Sequence, residues 1–274
     1  MNKVGAFSYA LMLFLFLGGV EVISVFLSYT FDVGIFFKYV IYCCLGLFFS
    51  FLPLRMNKFE GLSPFSLSFS FSFSVFLYSF LIGVAFSFCQ FGLAAVQILF
   101  LLNFFGDNFF DSITSFNFSE QRKVMEGYFN ANILFFVLFF LKAFLVAPIV
   151  EEVYLRGGVF RLSLSSLGFT LSTLLSGGFF LLIHGFDWIL SLMFFSFISS
   201  YIYYSSKNIF SSIVFHSSYN FSFWVFKGVG GMDYFLSKPA SMLHEPRIWI
   251  LEISVMAFFL GVIVLLLLPF YKGL

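Results

Sequence analysis

Charge is what this chain has least of. Only 10% of its 274 residues are Asp, Glu, Lys or Arg, and 61% are hydrophobic. Soluble domains carry about a quarter charged residues, so this charge cannot clothe a water-facing surface of such a size. A net charge of +1 with no basic cluster excludes nucleic acid as a partner. Cysteine is scarce as well. Cys43, Cys44 and Cys89 are odd in number, lie in apolar runs and show no C-x-x-C or zinc-type spacing. They read as buried, inert thiols. Histidine numbers three, and no H-E-x-x-H motif occurs.

What fills the chain instead is apolar residues in runs of about 20, the length that crosses about 30 Å of hydrocarbon as helix. Mean hydropathy is +1.03. The 50 Phe residues are a bias in how apolar positions are filled, not an aromatic binding surface. The expected fold is all-α, a polytopic transmembrane helical bundle of about eight spans, in one integral membrane domain over 1–274. The runs place spans at 8–29, 33–52, 65–90, 132–150, 168–184, 188–206, 208–227 and 249–270. Residues 90–105 extend the third span, lie in the interface or form a short span of their own. Residues 65–74 alternate Phe or Leu with Ser. A barrel needs that alternation throughout, so the stretch reads as a Ser-rich helix. Lys3 before an apolar stretch resembles a signal peptide, but the run passes Glu21 without a small-residue cleavage site and reads as a retained first span.

Basic residues set orientation. With the N-terminus inside, Lys3, Arg55, Lys58, Arg156, Arg161, Lys207 and Lys272 are cytoplasmic, and Lys38, Arg122, Lys123, Lys227, Lys238 and Arg247 are outside. The balance tips to N-in, C-in by one residue, with the cell (cytoplasmic) membrane as the expected location. The longest polar stretch, 106–131, is an amphipathic interfacial segment or a solvated connection.

Polar groups then appear where the context should reject them. Glu151-Glu152-Val153-Tyr154-Leu155-Arg156 directly follows the run that ends at Val150. Two carboxylates at the end of a membrane helix are costly unless partnered. Glu152 and Arg156, four apart, share a helical face in the favourable acid-then-base order. Glu151 points about 100° away and is free to face another helix. An interfacial Glu–Arg pair marking a helix end is the plain alternative. His184 closes the run Phe179 to Ile183. It suits a proton shuttle or metal ligand, or a satisfied histidine at a span end. His216 and Asn220, again four apart, share a face and offer an imidazole and a carboxamide to an oxyanion, or serve as interhelical hydrogen-bond glue. Together they supply a base, two imidazoles, an amide and an internal Arg, the inventory for activating water against a carbonyl. His244, beside Glu245 in a polar loop, reads as a surface residue.

Glu151-Glu152-x-x-x-Arg156, Phe180-x-x-x-His184 and His216-x-x-x-Asn220, in that order on successive spans, resemble the CAAX protease and bacteriocin-processing family. Its members are intramembrane endopeptidases related to the eukaryotic type II prenyl-protein protease. The resemblance covers residues 132–227, the catalytic core. It implies that Glu151, assisted by His184, activates the attacking water. It also implies that Glu152 and Arg156 form a supporting pair and that His216 and Asn220 stabilise the oxyanion. The implied substrate is a peptide or membrane-associated protein in the lipid bilayer. The family has been described both as metal-dependent and as metal-independent; Glu151, His184 and His216 would be the ligand set for a divalent metal such as Zn. Some members act as scaffolds or immunity proteins.

Two other functions compete. A proton-coupled transporter would use Glu21, Glu151, Glu152 and Glu252 as its path, but paired broken helices and repeat symmetry are missing from the sequence. A membrane scaffold or immunity protein would need none of these side chains for chemistry. The peptidase reading requires Glu151, His184 and Asn220 to converge on one cavity open to the membrane interface.

Overall fold

The computed structural model describes residues 71–106, 133–184, 188–228 and 246–271, with the single positions Gly19, Val22 and Cys44. The expected spans 8–29 and 33–52, Glu21, His244 and nearly all of the 106–131 stretch lie outside the described residues. Within them the ordered elements are all helical. Three stretches are long and apolar enough to cross a membrane: Phe73–Phe105, Ile189–Ser206 and, within the last helix, Ile253–Phe270.

Helix α1 (Phe73–Phe105) absorbs residues 90–105 as an unbroken extension of the third span. At 1.5 Å per residue its 33 residues run about 50 Å, beyond the hydrocarbon thickness. It begins one residue after Ser72, which is extended, and ends at Gly106, whose φ of 77° only glycine adopts freely. Several of its polar residues find partners inside the protein, as a lipid setting favours, although the buried Ser79 hydroxyl finds none among the described residues. Ser87 donates to the Val84 carbonyl at 2.7 Å, and Asn103 to that of Leu99 at 2.7 Å. Gln97 accepts from the Leu190 N–H, and Gln90 accepts from the Tyr219 hydroxyl.

The span expected over 132–150 does not stop there. Helix α2 (Ile133–Leu141) leads through a π-helical turn (Lys142–Val146) into α3 (Ala147–Tyr154), then through a second π turn (Leu155–Phe160) into α4 (Arg161–His184). The Glu-Glu-x-x-x-Arg segment is therefore interior helix and not a helix end at the interface. Its charges stay inside because they meet one another. Pro148 accounts for the first π turn: it cannot donate backward, its ring crowds the preceding turn, and one extra residue in that turn relieves the crowding. The second contains Gly157 and Gly158, weak helix formers, and its Leu155 carbonyl accepts from the Ser176 hydroxyl at 3.2 Å. Helix α4 is interrupted at Gly168, φ 71° and ψ 177°, where the expected 168–184 span starts.

Helices α5 (Ile189–Ser206) and α6 (Ile209–Gly228) are joined by Lys207 and Asn208, with Lys207 in the left-handed region. Helix α7 (Pro246–Tyr271), which carries Glu252, packs with α6 against α1. The main core gathers Ile82, Phe86, Val150, Tyr154, Phe180, Phe195 and Phe215 from α1, α3, α4, α5 and α6. Cys89 is buried as expected, but Cys44 is exposed. The outward face of a membrane span is itself apolar, so an apolar run does not imply an interior position.

Helices α1 and α6 are in close contact at Gly83. A Cβ there would overlap the Phe215 carbonyl and the Ser218 hydroxyl, on either side of His216 and Ser217. Gly83→Ala must push α6 back, and overpacking of this kind costs about 1–3 kcal/mol. Gly178, where an added methyl group would meet nothing within 4 Å, is the control. Thermal unfolding in detergent should show a lowered Tm for Gly83→Ala and an unchanged or raised Tm for Gly178→Ala.

Candidate active site

Helices α3, α4, α5 and α6 each bring one part of the constellation. Helix α3 supplies Glu151 and Glu152, with Arg156 following in the second π turn. Helix α4 ends on His184, α5 presents Ser199, and α6 carries His216 and Asn220.

Glu152 is the best-held of these side chains. It and Arg156 are wholly buried, with Arg156 Nη1 3.2 Å from Glu152 Oε1. His216 Nδ1 lies 2.9 Å from the same oxygen, and the Ser199 hydroxyl donates to Oε2 at 2.7 Å. Burial of two charges costs several kcal/mol per ion; Glu152 has both oxygens engaged, whereas the Arg156 nitrogens make no hydrogen bond among the described residues and meet the carboxylate as an ion pair. The guanidinium also lies 5.4 Å from the Phe180 ring centroid and 5.7 Å from that of Phe195, within cation–π reach. Phe180, quoted in the second motif, thus meets Arg156 as well as His184.

Hydrogen-bond partners assign both imidazole tautomers. A carbonyl only accepts, so His184 Nδ1, 3.1 Å from the Phe180 carbonyl, carries its hydrogen and donates. Glu152, ionised beside Arg156, likewise takes the His216 Nδ1 hydrogen. Each ring turns its Nε2 to Glu151. Its Oε2 lies 3.6 Å from His184 Nε2 and 3.8 Å from His216 Nε2. These separations exceed hydrogen-bond length. With neutral rings donating from Nδ1, all three atoms are acceptors, and a shared donor fits between them. The site is closed on one side and open on the other, with Glu151 8% exposed and His184 35%.

Glu151, Glu152, Arg156, His184 and His216, all singled out in the sequence, thus come together. Asn220 is joined to the same region differently: its Nδ2 donates to the Ala143 carbonyl at 2.8 Å. One of its two amide hydrogens remains. Ser199 was missed. Its helix also holds Ser191, Ser196, Ser200, Ser205 and Ser206, so no local pattern marks which hydroxyl meets Glu152.

The donor chemistry of Glu151, His184 and His216 suits zinc. Among the described residues, however, no three His, Cys, Asp or Glu groups gather closely enough to hold a metal ion. The arrangement as it stands is one carboxylate oxygen facing two imidazole nitrogens.

A family model described as type II CAAX prenyl endopeptidase Rce1-like matches residues 133–222, which contain every member of this constellation. That agrees with the resemblance carried by the three motifs. No significant match was found among curated proteins or among solved structures.

The two neighbouring glutamates should respond differently to replacement. Glu152→Ala leaves Arg156 buried and unpaired, a loss of about 3–5 kcal/mol, and should sharply reduce Tm and yield. Ser199→Ala should cost less, about 1.5–3 kcal/mol, the worth of a hydrogen bond to a charged group. Glu151→Gln, which removes no ion pair within hydrogen-bond distance, should leave Tm nearly unchanged. Thermal unfolding of the three purified variants checks this order.

Proposed function

We propose that this integral membrane protein is an intramembrane endopeptidase that hydrolyses a peptide bond in a peptide or membrane-associated protein. The family match supports protease activity in a membrane setting. The observation that carries the mechanism is the approach of two imidazole Nε2 atoms to one carboxylate oxygen, at 3.6 and 3.8 Å.

A water between them has two hydrogens to give. It donates one to Glu151 and the other to an imidazole Nε2, which aims an oxygen lone pair toward a carbonyl entering beside His184. As that oxygen bonds to the carbonyl carbon, Glu151 takes the water proton as general base, a contribution of about 10²–10⁴-fold. The carbonyl oxygen becomes an oxyanion, and the remaining Asn220 N–H is the donor for it. The carbon–nitrogen bond then breaks, and the proton passes from Glu151 to the departing amine. His216, a bare acceptor at Nε2 while Glu152 holds its Nδ1 hydrogen, orients the water in the resting site. It becomes an oxyanion donor only on gaining a proton. Glu152, Arg156 and Ser199 touch no reacting atom in this scheme; they hold His216.

The site lies in a membrane bundle, so substrates are those that reach its interior from the bilayer or its surface. The cytoplasmic membrane is the location that fits the basic-residue balance. A proton-coupled carrier would draw on Glu21, outside the described residues, and Glu252, on α7.

The test is cleavage of a mixed peptide library by purified wild type and Glu151→Ala, read by mass spectrometry with and without chelator. The expected result is cleavage by wild type and a loss of about 10²–10⁴-fold in the variant. Undiminished cleavage by Glu151→Ala removes Glu151 as the base. Cleavage by neither turns the reading toward a carrier or scaffold, and the chelator arm decides whether a metal takes part.

A further inference from the structure

Within a helix a carbonyl accepts from the N–H four residues on, or five residues on in a π turn. For Ala143 those positions are Ala147 and Pro148. The Ala147 N–H goes to the Lys142 carbonyl instead, closing the π turn. Pro148 has no N–H. The Ala143 carbonyl thus lacks both donors that its own helix would offer, in a setting where lipid supplies none. The donor comes from 77 residues away, where Asn220 Nδ2 reaches it at 2.8 Å.

That bond has consequences at both ends. A carbonyl only accepts, so the carboxamide must turn its nitrogen, and not its oxygen, toward Ala143. The plane of the amide and the direction of its second N–H follow. Pro148 is buried and stands three residues before Glu151, one turn of helix away. Asn220 stands one turn beyond His216 on α6. This hydrogen bond, together with that between His216 and Glu152, ties the segment bearing Glu151 to the helix bearing His216.

We propose that Pro148 is a positioning residue of the active site. By withholding an N–H it reserves the Ala143 carbonyl for Asn220, and that bond orients the carboxamide and sets the spacing of Glu151 from His216. The catalytic consequence rests on the peptidase reading; the clamp itself does not.

Pro148→Ala, with Pro148→Ser as a second variant, restores an N–H that can close onto Ala143 within its own helix. Turnover should fall about 10- to 100-fold, the scale of a small misplacement of reacting groups, with KM within about twofold. A thermal cycle reads the clamp without activity. Asn220→Leu should lower Tm in the wild-type background and leave it unchanged in the Pro148→Ala background, because the bond is already gone. Equal losses in both backgrounds mean additivity and overturn the clamp. Full turnover in both Pro148 variants overturns its role in positioning. If the wild type cleaves nothing, the peptidase reading falls and the thermal cycle still decides the clamp.

Discussion

Two opposite charges with no access to water, Glu152 and Arg156, sit at the centre of this bundle, and most of the site's geometry follows from the need to satisfy them. An isolated ion there would be expelled or neutralised. The pair persists because Glu152 has both oxygens engaged: Arg156 and His216 on one, Ser199 on the other. Each partner comes from a different place along the chain, so the pair holds α3, α5 and α6 in fixed relation. The rings of Phe180 and Phe195 beside the guanidinium add α4.

The same network prepares the chemistry. His216 gives its Nδ1 hydrogen to Glu152, which turns Nε2 toward Glu151. His184 reaches the same tautomer by another route, through the carbonyl four residues before it. The adjacent carboxylates thus divide their work by environment. Glu152 is enclosed and saturated, whereas Glu151 meets only acceptors beyond hydrogen-bond length and lies toward the open side. In the mechanism proposed above, one carboxylate holds the apparatus and its neighbour in sequence moves the proton.

Backbone irregularity contributes as much as side chains do. The two π turns bracket α3, the eight-residue stretch that carries both glutamates. An inserted residue shifts the helical phase, so each π turn alters which faces of the flanking segments point inward. Such insertions are common at functional sites. Gly83 acts in the same direction from α1, since its missing side chain lets α6 come close at the level of His216.

Much of the site was legible because its logic is local. Residues four apart on a helix share a face, so Glu152 with Arg156 and His216 with Asn220 announce themselves as pairs, and charge in an apolar run is conspicuous. The helices Ile189–Ser206 and Ile209–Gly228 were equally plain from run length. Other features depend on which helices become neighbours. Ser199 looks like the other serines of α5 until α3 is placed beside it. The 132–150 run seemed to end at its glutamates because charge ordinarily marks an interface; it continues because α5 and α6 supply partners. Asn220 reads as an oxyanion donor from its spacing to His216, yet one of its hydrogens goes to a carbonyl on a helix 77 residues earlier. Periodicity and polarity are properties of a segment and can be read along it. The partner of a buried polar group is a property of two segments, and it exists only once they pack.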